Sequence, residues 1–151
     1  MADAENKIAV EFNLECDKVD FDMSKLEAMI GSVCQRFSCS QVTVSIAILD
    51  GKAISRVNSK FLGSENATDV ISFDVSGASD KYFDLAVNAE MAAAQAKIRG
   101  HKAEAELALY VLHGLLHNFG FDDADARRAE KMHKTEDEIL QKSGYGVVYS
   151  R

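Results

Sequence analysis

Proline is missing altogether from this chain of 151 residues, where average usage of about 5% would supply roughly seven. No function follows from that absence. Cysteine is scarce too: Cys16, Cys34 and Cys39 are odd in number and form no C-x-x-C pair. A disulfide framework and a cysteine-based zinc site are therefore not expected. No apolar run approaches the roughly 20 residues that a membrane helix needs. The opening MADAENK lacks the basic and then apolar stretches of a signal peptide. A soluble, cytoplasmic protein without a membrane partner is the expectation. A surplus of positive charge is also lacking, since the net charge is −7, which at first argues against nucleic acid. Its distribution softens the point: residues 1–22 hold seven acids against two lysines, whereas residues 97–134 hold seven bases against six acids.

What is present fits an ordinary globular protein: 47% hydrophobic and 27% charged residues, with a length that suits one domain over residues 1–151. Ile8, Val10, Phe12 and Leu14 alternate along 7–14 and predict a half-buried strand. Ser24, with Glu27 three residues on, reads as a capping box opening a helix. Residues 41–49 are β-branched and apolar and read as a buried strand ending at Asp50-Gly51. A short helix over 52–61 and a loop over 62–67 follow. Strands are then expected at 68–75 and 82–87, joined like a hairpin. Helices are expected at 88–99, at 103–118 and at about 124–142, the last capped by Asp123 or Asp125. This order predicts an α+β fold, a small mixed sheet of about four strands covered by helices.

The segment from His113 to Asp123, H-G-L-L-H-N-F-G-F-D-D, carries the chemistry. Residues four apart on a helix lie about 40° apart in azimuth and roughly 6 Å along the axis. His113 and His117 can thus share one metal ion, in the manner of the zincin H-x-x-x-H helix. Gly120 falls where a helix-ending glycine belongs, and the returning chain can bring Asp123 as a third ligand. Three protein ligands with an open position describe a catalytic zinc site, where bound water reaches a pKa of about 7. The plainer alternative is a hydrogen-bonded pair of core histidines. Against it stands the helix itself, apolar nearly all round at Leu107, Leu109, Val111, Leu112, Leu115 and Leu116, where two unsatisfied imidazoles are costly. Metzincin proteases carry a general-base glutamate after the first histidine. Gly114 stands there instead, which demotes a protease.

These residues resemble the YbeY-type metal-dependent endoribonucleases of ribosomal RNA maturation. The family pattern H-G-x-L-H-x-x-G-(Y/F)-D-H lies over His113, Gly114, Leu116, His117, Gly120, Phe121 and Asp122. A second block resembles Asn58, Phe61 and Thr68-Asp69-Val70-Ile71-Ser72-Phe73; a third resembles Asp84-Leu85-Ala86-Val87. Met132, Glu136, Glu138, Ile139 and Leu140 look like the family's C-terminal helix. Three positions depart from the pattern. The family's third histidine falls on Asp123, a harder ligand that adds negative charge, and His133 is the alternative third ligand. The arginine after the aromatic falls on Leu62, which removes a phosphate contact. Asp74 stands where the family usually has proline.

The resemblance implies one zinc per chain and cleavage of precursor ribosomal RNA, with ribosomes or assembly factors as partners. It places Thr68, Asp69 and Ser72 beside the metal cleft as substrate-binding residues. Two other readings stay open: a ribosome-assembly binding protein with a structural or vestigial metal, and a zinc protease-like hydrolase. Arg127, Arg128, Lys131 and Lys134 could meet RNA phosphates, as could Lys97, Arg99, His101 and Lys102, although a solvated helix face explains either cluster.

Overall fold

A computed structural model describes residues 7–77 and 80–146. Its elements run β1 (Lys7–Leu14), α1 (Met23–Arg36), β2 (Gln41–Leu49), α2 (Gly51–Leu62), β3 (Val70–Asp74), β4 (Tyr82–Asn88), α3 (Ala89–Arg99), α4 (Ala103–Asn118) and α5 (Ala126–Lys142). The four strands form one mixed sheet in the order β1-β2-β4-β3. β1 and β4 flank β2 in parallel, and β3 pairs antiparallel with β4 at the edge. A parallel pair needs a crossover, and α1 supplies it between β1 and β2. The α+β expectation is met.

Period-two burial explains how the helices divide. Val42, Val44, Ile46 and Ile48 of β2 are buried on one face, level with Phe83, Leu85 and Val87 of β4. That face carries the main core with Leu26, Ile30 and Val33 of α1, the apolar body of α4, and Met132, Ile139 and Leu140 of α5. The opposite face is smaller: Leu49, Ile71 and Ala86 pack on Ile54 of α2. Cys34 lies in the main core, where burial pushes its thiol up to about 12, as suits an inert packing cysteine.

Some boundaries differ from expectation for physical reasons. Asp22, not Ser24, caps α1: its Oδ1 accepts the Lys25 N–H at 3.1 Å, which leaves Ser24 inside the first turn. Leu14 was expected on the buried face but is exposed, at the far end of an edge strand. β3 begins at Val70 rather than 68, because the Asp69 side chain takes the Val70 N–H at 2.8 Å and turns the chain locally. Of the two candidate caps for α5, Asp125 does it, accepting the Arg128 N–H at 2.8 Å. Residues 78 and 79 of the β3–β4 connection lie outside the described residues.

Candidate metal centre

α4 crosses the sheet so closely that its backbone leaves no room for a side chain at one position. A Cβ on Gly114 would stand 2.8 Å from Val70 Cγ2 and 3.2 Å from Leu85 Cδ2. This glycine brings the helix down onto β3 and β4, and with it the histidines on either side. Eleven of the sixteen residues of α4 are buried, so the helix is held by tertiary packing along nearly its whole length.

His113 and His117 lie one turn apart with their rings edge to face, centroids 4.7 Å apart. His113 Nδ1 lies 2.7 Å from Glu136 Oε2, on α5. A carboxylate accepts, so Nδ1 carries the proton and Nε2 keeps its lone pair. That Nε2 faces His117 Nε2 at 3.1 Å. Two nitrogens each about 2.0–2.1 Å from a tetrahedral zinc would stand roughly 3.3 Å apart, so the pair fits one ion. Burial works to lower the His113 pKa, but the hydrogen bond and charge of Glu136, with Asp69 and Asp123 beyond, outweigh it and hold the imidazole above its usual value. A pocket that draws a proton this way also draws a cation.

The third group arrives by the turn after α4. Gly120 adopts φ +96°, and the Phe121 N–H donates back to Leu116 O at 3.0 Å, closing the helix in a Schellman arrangement. Phe119 and Phe121 then anchor the loop on Phe37, with ring centroids 5.2 and 5.5 Å away. Asp122 points to the loop itself, accepting the Ala124 N–H at 3.1 Å and facing Arg128. Its neighbour Asp123 is delivered to the histidines: ligand atoms of His113, His117 and Asp123 all lie within 4.8 Å of one another. His133, on α5, is not part of this cluster.

Beside the cluster of His113, His117 and Asp123 opens a cleft of about 430 Å³, lined by Thr68, Asp69, Gln95, Arg99, Tyr110 and His113 among others. Thr68 and Asp69 thus share a cleft with His113, whereas Ser72, on β3, is not part of the lining. Buried Asn88 sets this wall. Its Nδ2 donates to Thr68 O at 3.1 Å, its backbone N–H donates to Asp69 O at 2.8 Å, and its Oδ1 caps α3 through the Met91 N–H. Of the basic residues on α5, Arg128 is tied to Asp122 and Asp125, while Arg127 and Lys134 are exposed. Leu62 is exposed at the end of α2 and contributes nothing to the cleft.

Two residues of this site escaped the sequence reading in their roles. Glu136 was legible only as part of a resembling helix, although an acid one turn from Met132 and Leu140, on α5's buried stripe, signals a partner inside. Asn88 gave no signal beyond its place at the start of an expected helix, which it caps from outside.

The chain matches the Endoribonuclease YbeY family over residues 11–144. A Myxococcus xanthus protein named Endoribonuclease YbeY is 33% identical over 70% of this chain. One of the same name from Carboxydothermus hydrogenoformans is 32% identical over 85% of it. The chain spans 92% of the Carboxydothermus protein but only 38% of the Myxococcus one, and 20% of a chloroplastic relative from Arabidopsis thaliana. A solution structure of a Thermotoga maritima protein shares the fold, with a TM-score of 0.54 at 22% identity, covering 94% of this chain and 99% of that one. Among the described residues no helix is long and apolar enough to cross a membrane. With a family model matched over residues 11–144 and a relative 32% identical over 85% of its length, the chain belongs to the Endoribonuclease YbeY family.

Proposed function

We propose that this protein is a zinc-dependent endoribonuclease acting on precursor ribosomal RNA, and that residues 1–151 work as one domain. The observation that carries the reading is the pair of histidine Nε2 atoms facing each other at 3.1 Å, with the Asp123 carboxylate in reach. His113 and His117 hold the ion through Nε2 and Asp123 holds it through a carboxylate oxygen. Glu136 fixes the His113 tautomer and raises the basicity of its Nε2. When bound, zinc supplies a water of lowered pKa and a Lewis acid for the phosphoryl oxygens. Thr68 and Asp69 orient the strand from the opposite wall. Asp69 accepts from a ribose hydroxyl, the group that separates RNA from DNA. Ribosomes or their assembly factors, which present this RNA, are the partners in this reading.

The test is cleavage of a labelled ribosomal RNA precursor, resolved on a gel. The zinc-loaded protein is expected to cut RNA but not DNA of the same sequence. A chelator abolishes the cutting and zinc restores it, and His117→Ala cuts nothing. The second reading, a binding protein with a structural metal, is favoured by Leu62 and Asp123, which replace the family's arginine and histidine. Retained RNA binding and zinc with no cleavage under any metal would select it. A protease is disfavoured sterically, since the position of its general base is filled by the Gly114 contact.

A further inference from the structure

We propose that Arg99, held in place by the buried Glu106, is the phosphate anchor of the cleft, binding a backbone phosphate adjoining the one at the metal cluster. The inference rests on the RNA reading above and deepens it. Glu106 is fully buried in α4, a helix otherwise apolar nearly all round. Its carboxylate is met by Tyr110, one turn on in α4, and makes no well-aligned hydrogen bond among the described residues. The basic side chains near it are Arg99, whose Nη1 lies 3.4 Å from Oε2, and His101, whose Nε2 lies 4.0 Å from Oε1. A buried carboxylate with so loose a pairing costs stability, and an apolar side chain would serve the core better. What the carboxylate achieves is to fix the guanidinium of a residue at the end of α3, just before the left-handed turn at Gly100.

Arg99 itself lines this cleft, where it is the single lysine or arginine among the lining residues. It carries five N–H donors in a rigid fork, and Glu106 approaches only one side of it. The remaining donors match a phosphate in the bidentate geometry that lysine cannot give. Glu106 precedes His113 by seven residues, about two turns and roughly 10 Å along the helix axis. The anchored phosphate is therefore separate from the one at the metal cluster but belongs to the same bound strand.

A purely structural Arg99 would serve only to neutralise Glu106, and the test separates the two roles. Binding of a fluorescent single-stranded RNA of about 12 nucleotides to the zinc-loaded protein is measured by anisotropy over a series of salt concentrations, with the probe checked for intactness. The double substitution Arg99→Gln with Glu106→Gln removes the buried charge and its partner together. It is expected to keep the thermal transition, weaken binding about 5–10-fold, and lower the salt slope by about 0.7, the loss of one phosphate contact on a single strand. Arg99→Lys, which keeps the charge beside Glu106 but loses the fork, is expected to weaken binding about 2–3-fold, in line with the loss of bidentate geometry. Double-variant binding and slope equal to those of the unaltered protein would overturn the inference and leave the RNA reading standing. No binding by the unaltered protein would overturn that reading, and the inference with it.

Discussion

Glu136→Gln is expected to weaken zinc binding about 10–100-fold, the usual consequence of losing a carboxylate behind a metal-ligating histidine. The substitution keeps the shape of the side chain, which matters because Glu136 is fully buried on α5. The amide oxygen can still accept from His113 Nδ1, so the tautomer survives while the charge that raises the basicity of Nε2 is gone. Competition against a chromophoric chelator reads the change directly. The metal-free protein gives a second readout. Glu136 holds His113 above its ordinary value of 6.5, after burial has pulled the other way. Such a group stabilises fully below its unfolded pKa, and that contribution is lost as pH rises through the higher folded pKa. Denaturation of the metal-free protein should show this decline from about pH 6 upward, and Glu136→Gln should flatten it. Unchanged zinc affinity in the variant would mean that Glu136 merely fills space.

The second large effect belongs to Gly114. Gly114→Glu, which installs the residue that a metzincin uses as its base, is expected to prevent folding. The new Cβ would meet Val70 and Leu85 on the sheet, and the carboxylate would follow it into the core with no cation to pair. An unpaired buried charge costs several kcal/mol, against a total stability of about 5–15 kcal/mol. Gly114→Ala isolates the steric part. Overpacking costs about 1–3 kcal/mol, and the better helix propensity of alanine returns up to about 1 kcal/mol. A net loss of about 1–2 kcal/mol lowers the Tm by roughly 2–8 °C for a chain of this size. Calorimetry on the metal-free proteins checks both. A Gly114→Glu protein that folds normally would show that α4 can lift off the sheet, and the steric argument against a protease would fall.

Much of this architecture was written in periodicities that follow from burial. β2 and β4 are apolar on the face that meets α4, and α4 is apolar nearly all round because sheet, α3, α5 and α1 enclose it. The metal pair was legible for a related reason: two histidines four apart on such a helix need a partner, and a glycine with two acids after it offers one. What stayed hidden depends on tertiary placement. Glu136 lies thirteen residues beyond Asp123, well inside α5, and nothing local ties it to His113. Gly114 could be read as an absent base, whereas its packing role needs β3 and β4 in place. Asp22 and Ser24 are both competent caps, and only the path of the chain into α1 chooses between them. Thr68 and Asp69 depart from the strand pattern because a side chain competes for the Val70 N–H and because Asn88 holds their carbonyls.

The proposed function stands or falls on whether His113, His117 and Asp123 hold one metal ion. Elemental mass spectrometry of the purified, zinc-supplied protein beside His117→Ala and Asp123→Ala, under matched conditions, tests it most directly. About one zinc per unaltered chain is expected, as for a three-ligand site with an open position, and none in either variant. Zinc absent from the unaltered protein, or kept in full by both variants, would contradict it.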